Sequence, residues 1–289
     1  MKSQIVEIPA TDWQLPDTDS SWISALEQGK VLYFPSLPFT LDKDEQALLT
    51  PAVLDEKVRN ISLASDDQLK GAAGDERTHA LLSAMLKRYR TQAEQLVHSL
   101  LPKYQGALRK APTSYRPKTV EARKQSWRAD DRRMHVDAFP SRPNRGERIL
   151  RVFSNINPEG VPRVWRVGEP FADMVNTMLP RSKPYVRWQA KALHTLGITK
   201  SLRTEYDHLM LQLHDCMKAD IQYQKEAKQV SMPFAPGSVW VCFSDHALHG
   251  VESGQYMMEQ TFHIAPENQY DPSVSPLAHL SKVLQRQLV

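Results

Sequence analysis

Two short stretches carry the residue types of a metal site: Met134-His135-Val136-Asp137-Ala138-Phe139-Pro140 and, far downstream, Ser244-Asp245-His246-Ala247-Leu248-His249-Gly250-Val251. On an extended strand side chains alternate faces, so His135 and Asp137 point the same way and offer an imidazole and a carboxylate together. His249 is the expected third ligand. Two histidines and one carboxylate on one face of an octahedral ion leave the other positions open, which suits iron(II), a chelating cosubstrate and dioxygen. The dipeptide spacing alone does not establish this, because the 10 His of the chain lead to about 0.6 His-x-Asp triplets by chance. The elements around the two stretches carry the argument.

Before the first stretch, the sequence predicts a short helix over Ser20 to Gln28 and a strand over Lys30 to Phe34 that Pro35 ends. No regular structure is expected over 41–75. Leu82, Met85, Leu86, Tyr89, Ala93, Leu96, Val97 and Leu100 recur at three- and four-residue steps and define one apolar helical face, with Pro102 beyond its end. The segment Ser126-Trp127-Arg128 should lead into the strand bearing His135, and Phe139 to Gly146, with two prolines and a glycine, should be a loop. Strands follow over Arg148–Asn157 and Arg163–Gly168. Residues 169–230 form an expected helical insertion in which His208, His214 and the group Arg187, Trp188 and Lys191 read as ordinary helix residues. The strand Ser238–Phe243 then delivers His246 and His249, and Gln255–Ile264 is the last strand. The tail places Leu277, Leu280, Val283, Leu284 and Leu288 on one helical side, which either docks on the domain or lies on a membrane surface.

A chain of 289 residues is ample for a sizeable core. Its apolar and charged fractions are those of a soluble globular protein, and no apolar run is long enough to span a membrane. The N-terminus lacks the apolar segment of a secretory signal, so the cytoplasm is the expected compartment. Cys216 and Cys242 read as two buried thiols. A net charge of +4 is mild, yet basic residues cluster: Arg123, Lys124, Arg128, Arg132, Arg133, Arg142, Arg145, Arg148 and Arg151, then Arg163, Arg166, Arg181, Lys183, Arg187 and Lys191. An anionic partner is the natural reading.

Pro236-x6-Phe243-Ser244-x4-His249-x-Val251, paired with His135-x-Asp137 and the strand ending Asn155-Ile156-Asn157, resembles the iron(II)- and 2-oxoglutarate-dependent oxygenase pattern across 115–265. The wording of His135–Pro143, Arg151–Pro158, Pro162–Phe171 and Gly237–Asp245 goes further and resembles the bacterial Kdo hydroxylases, which act on 3-deoxy-D-manno-octulosonic acid (Kdo) of lipopolysaccharide. The resemblance implies a mixed α/β protein whose mainly β core is a double-stranded β-helix (jelly roll, cupin-like) flanked by helices. The chain is read as a single oxygenase domain over 1–289, with helical support and the first strand in 1–114, the jelly-roll core in 115–265 interrupted by the helical insertion, and a C-terminal amphipathic helix in 266–289. The resemblance also implies iron(II) as cofactor, 2-oxoglutarate and dioxygen as cosubstrates, hydroxylation at carbon 3 of Kdo in Kdo-lipid A, and peripheral contact with the cytoplasmic face of the inner membrane.

Carried over by position, His135, Asp137 and His249 are the metal ligands, and the spacing from Phe243 favours His249 over His246. Where many oxygenases place an arginine for the distal carboxylate of 2-oxoglutarate, this chain has Met258, Glu259 and Gln260. Arg148 is the favoured replacement, with Arg151 next and Asn155 and Gln260 as secondary polar candidates. Arg142, Arg145, Arg163 and Arg166 are expected to meet the anionic substrate. Two other readings stay open: an oxygenase of this fold acting on another anionic small molecule or a protein side chain, and a basic, non-enzymatic binding module. Nucleic acid is not expected, because the arginines are not interleaved with stacking aromatics.

Overall fold

The structure is a computed structural model and describes residues 4–120 and 125–289; Arg123 and Lys124 of the basic run lie outside them. In chain order the elements are β1 (Ile5–Glu7), α1 (Ser20–Glu27), β2 (Val31–Phe34), β3 (Ile61–Leu63), β4 (Leu69–Lys70), α2 (Glu76–Leu100), β5 (Arg109–Arg116), β6 (Arg148–Asn155), β7 (Arg163–Gly168), α3 (Phe171–Met178), α4 (Arg187–Thr195), α5 (Glu205–Ala219), α6 (Ile221–Glu226), β8 (Gln229–Phe234), β9 (Val239–Phe243), β10 (His249–Ser253), β11 (Met257–Ile264) and α7 (Pro276–Leu284). One sheet runs β1-β2-β9-β6-β11-β5-β3-β4 and a smaller one runs β10-β7-β8. His135 extends the small sheet through an antiparallel bridge to His249. These are the two facing sheets of the expected jelly roll.

Strand alternation sorts the core into layers. In β9, Val239, Val241 and Phe243 face the helices, whereas Trp240 and Cys242 face the space between the sheets. The inner layer is aromatic, with Trp165 of β7 packed edge-on against Phe153 of β6 and Trp240 of β9. On the outer side of the large sheet lies α2, capped by the Asp75 carboxylate, which accepts from Thr78 N–H at 2.8 Å. All eight residues of its predicted apolar face are buried. Helices α3, α5 and α6 form a further core with Met134, Val136 and Leu248, beside the metal-site stretches.

Several expectations are corrected. Segment 41–75 contains β3, β4 and short 3-10 turns. The insertion is helical but gives way to β8 at Gln229, and His249 opens a strand of its own. Strand β5 lies where no strand was expected, because Pro112 and its polar neighbours mask it; the register of β11 against β5 shifts between Gln260 and Phe262, a bulge opposite that proline. Cys242 is buried, but Cys216 is only partly so. The tail docks on the domain: Leu280 and Leu288 are buried in the helical core, with Leu277 and Leu284 packed against it. Among the described residues no helix is long and apolar enough to cross a membrane.

Candidate metal centre and cosubstrate cavity

His135 and His249 sit directly opposite each other, each backbone N–H donating to the other's carbonyl at 2.9 Å. Asp137 N–H donates to Ser244 O at 2.8 Å, so the segment bearing His135 and Asp137 is tied to both ends of the turn that delivers His249. One donor atom from each of His135, Asp137 and His249 falls within 4.8 Å of the others. Gly250 permits this approach, since a Cβ there would lie 2.9 Å from Arg132 O and 3.2 Å from Met134 N. Gly250→Ala must therefore push the His135 segment off β10. A loss of about 1–3 kcal/mol by urea unfolding is expected, together with weakened metal binding in a Co(II) titration.

The imidazoles are prepared as ligands. His135 Nδ1 faces Arg133 O at 2.7 Å and His249 Nδ1 faces Ala247 O at 2.9 Å. A carbonyl only accepts, so Nδ1 carries the proton and each Nε2 keeps a bare lone pair, the tautomer of a metal-binding histidine. Burial, reinforced by the neighbouring His249, pushes the His135 imidazole down to about 4, and burial also lowers that of His249. Burial opposes ionisation of Asp137, yet Arg151 together with His135 and His249 outweighs it and holds the carboxyl well below the usual carboxylate range. All three donors are therefore deprotonated at neutral pH, the state a divalent cation requires. Two imidazoles and a carboxylate fit iron(II).

A cavity of about 220 Å³ opens on this triad and is lined by Arg116, Arg151, Arg163, Trp165, Phe153, Met257 and Glu259 among others. Trp165 stacks on the His249 ring, with centroids 5.0 Å apart and planes at 20°. Glu259 stands where many oxygenases carry an arginine, and its neighbours supply the positive charge. Arg116 on β5 reaches its Oε2 at 3.0 Å, and Arg151 on β6 reaches its Oε1 at 3.3 Å and Asp137 Oδ2 at 3.2 Å. Both arginines are diagonal cross-strand neighbours of Glu259, two residues out of register on the inner face. Arg151 thus orients the Asp137 carboxylate. A second cavity, of about 630 Å³, shares Asn60, Phe139, Arg151 and Glu259 with the first and adds Arg109, Lys110, Arg142 and His263.

The favoured anchor is corrected by strand parity. Arg148 shares the helix-facing side of β6 with Leu150 and Val152, three residues out of phase with Arg151. Its Nε donates to Asp245 Oδ2 at 2.8 Å, both side chains fully buried, and its guanidinium lies over the Phe243 ring. Asp245 also accepts from Ile149 N–H at 3.0 Å, so this pair braces the turn leading to His249. Arg148→Met leaves that carboxylate buried and unpaired, and a loss of about 3–5 kcal/mol is expected on urea unfolding. Gln260 is likewise on the helix side, bonded to Thr113 and to the Ala111 carbonyl, and the Asn155 amide is committed to the Val161 and Phe234 carbonyls.

Of the expected substrate arginines, Arg163 lines the first cavity and Arg142 the second. Arg166 and Arg145 line neither. Arg166 lies on the opposite face of β7 from Arg163, and its guanidinium donates to the backbone carbonyls of Arg132 and Gln224. Arg145 caps Asp207 through its own N–H at 2.8 Å. His246 is turned away behind Phe171, its Nδ1 3.3 Å from Arg148 Nη2, so it does not compete with His249 for the metal. His214, read as a plain helix residue, is set by α5 edge-on against the His135 ring at 5.5 Å. Trp165 and Arg116 also escaped the sequence reading, and Glu259 entered it only as the residue in the arginine's usual place; the two-residue step from Arg163 points to Trp165, whereas Arg116 sits on the strand that was not expected.

The family model for 3-deoxy-D-manno-oct-2-ulosonic acid (Kdo) hydroxylase matches residues 10–287. The chain belongs to the Kdo hydroxylase family. It is thus an enzyme that hydroxylates Kdo. Solved structures agree over essentially the whole chain. A Kdo hydroxylase, KdoO, described as a non-haem Fe(II) α-ketoglutarate-dependent dioxygenase and crystallised with α-ketoglutarate and Fe(III), is 43% identical with TM-score 0.94, covering 99% of this chain and 97% of that one. The same hydroxylase with cobalt(II) gives 43% identity and TM-score 0.95, covering 99% and 98%. Its complex with succinate and Fe(III) gives 43% and 0.94, covering 99% and 98%. No match is found among curated proteins.

Proposed function

We propose that this Kdo hydroxylase consumes iron(II), 2-oxoglutarate and dioxygen to hydroxylate carbon 3 of Kdo in Kdo-bearing lipid A. His135, Asp137 and His249 are the metal ligands in this reading. The observation that carries it is the meeting of two bare Nε2 atoms and one carboxylate in a cavity lined by Arg59, Arg116, Arg151 and Arg163. The ligands named for the KdoO structures, α-ketoglutarate, succinate and Fe(III), support the choice of cofactor and cosubstrate. When bound, metal and cosubstrate supply the oxidation that turns a sugar C–H into C–OH while 2-oxoglutarate leaves as succinate and carbon dioxide.

The chain's own residues hold and aim. Arg151 fixes the Asp137 carboxylate by one oxygen, Oδ2, and leaves Oδ1 turned to the histidines, 3.7 Å from His135 Nε2. Arg163 is the anchor we assign to the distal carboxylate of 2-oxoglutarate. It lies on the same face of β7 as Trp165, which marks His249, and one two-residue step further along, about 6.6 Å, near the span of a five-carbon diacid. The second cavity then receives the sugar, with Arg142, Arg109 and Lys110 toward its anionic groups. Phe139 and Trp165 keep the space between sugar and metal dry.

A substrate with acyl chains calls for work at a membrane surface, which in this reading is the cytoplasmic face of the inner membrane. The test is incubation of iron-loaded protein with 2-oxoglutarate, oxygen and purified Kdo-lipid A, with mass analysis of the lipid. A gain of one oxygen on the Kdo portion supports the reading; succinate formation that is coupled only to lipid-free Kdo glycosides would restrict it to the free sugar.

A further inference from the structure

From Met174 to Thr204 the chain has no acidic residue but carries Arg181, Lys183, Arg187, Lys191, Lys200 and Arg203. The same segment holds the two most exposed large apolar side chains among the described residues, Leu196 at 72% and Trp188 at 70%, with Ile198 at 55%. Helix α4 explains the pattern. At about 100° per residue, Trp188 falls nearly opposite the buried Ala190, so the outward face is centred on Trp188, with Ala192 and Thr195 beneath it and Arg187 and Lys191 at its edge. Leu196 ends the helix and Ile198 lies in the turn beyond it. Three large apolar side chains this exposed on one short helix and the turn after it are the mark of an interaction surface.

We infer that α4 and the turn after it form the surface by which this protein docks on an anionic lipid bilayer. Charge decides the partner. An apolar face edged by cations, on a segment that itself carries no carboxylate, matches an interface whose outer layer is negative and whose inner layer accepts indole and aliphatic groups. Among the described residues Lys183, Arg187, Lys191 and Lys200 enter no ion pair, whereas Arg181 pairs with Asp220. The tail helix, the other amphipathic candidate, has its apolar side spent on the core.

The placement also serves the site. Lys200 N–H donates to Ser141 O at 2.9 Å and the Arg203 guanidinium donates to Pro140 O at 2.6 Å. These bonds strap the segment to the loop whose Phe139 lines both cavities and whose Arg142 lines the second. Docking through α4 would set the mouth of the sugar cavity beside the lipid headgroups. This purpose rests on the lipid-linked substrate proposed above, but the docking does not.

The test is co-sedimentation of the full chain with vesicles of phosphatidylcholine alone or mixed in equal parts with phosphatidylglycerol, containing no Kdo, so that its outcome is independent of the substrate. The wild type should partition onto the mixed vesicles and not onto the neutral ones. The combined variant Arg187→Glu, Trp188→Ser and Lys191→Glu should lose at least about 25-fold in partitioning, from about fivefold for each cation before the tryptophan is counted. Trp188→Ser alone should weaken binding without changing its salt dependence. Turnover of a lipid-free Kdo glycoside should be unchanged in all of them, which also shows them folded. Equal sedimentation of wild type and the combined variant overturns the inference. So does tighter binding to single-stranded RNA than to the vesicles, or a wild type that self-associates through this face and ignores lipid.

Discussion

His249→Ala is expected to abolish hydroxylation and to lower affinity for Co(II) or Fe(II) by at least about 100-fold, the upper end of what loss of even an outer-shell partner produces. The fold should survive, because the lost side chain leaves only a small gap beneath Trp165 and the Asp245–Arg148 brace of the same turn is untouched. His246→Ala is the matched control, three residues away on the same turn. Its imidazole packs behind Phe171 and beside Arg148 rather than toward Asp137. Loss of that buried ring should cost stability and spare metal binding. A Co(II) titration followed by absorbance, with a urea melt of each variant, separates the two effects. Retention of full metal affinity by His249→Ala, with loss of it by His246→Ala, would reverse the assignment.

The contrast between these two histidines shows what the sequence could and could not carry. The two-residue step of His135 and Asp137 was legible because side chains alternate along extended backbone, although the expected strand reduces to a single bridge between His135 and His249. The distance from Phe243 to His249 was legible through the family's spacing. The cosubstrate anchor was not. Strand β6 is buried on both sides, by α2 on one and by the opposite sheet on the other. Both of its faces therefore read as apolar, and periodicity has no phase to say whether Arg148 or Arg151 looks inward. Parity did forbid one expectation outright, since Arg163 and Arg166 are three apart on β7 and cannot both face a ligand. The helix α2 was legible because one long apolar stripe faces polar residues all round. Strand β5 was hidden because its pairing is decided by β11 and β3, not by its own composition.

Arg163→Gln is expected to raise the KM for 2-oxoglutarate by roughly 150-fold, corresponding to about 3 kcal/mol for charge-assisted hydrogen bonds to a carboxylate. Metal affinity measured without cosubstrate should be unchanged, because Arg163 lies a two-residue step beyond Trp165 and is not one of the three ligand residues. With 2-oxoglutarate saturating, turnover should recover most of its rate, since uniform binding energy is lost rather than energy made only in the transition state. Arg163→Lys should fall between the two, keeping the charge but not the planar fork. Arg151→Gln should behave differently: it releases Asp137 and leaves Glu259 with Arg116 alone, so metal affinity and turnover should fall together. Steady-state kinetics over a range of 2-oxoglutarate, beside Co(II) titrations of the same variants, distinguish the patterns. An unchanged KM in Arg163→Gln, with a raised KM and intact metal binding in Arg151→Gln, would move the anchor from β7 to β6. The reason to expect otherwise is electrostatic: Arg151 already neutralises two buried carboxylates, Asp137 and Glu259, and drawing it toward a third would loosen the ligand that the metal depends on.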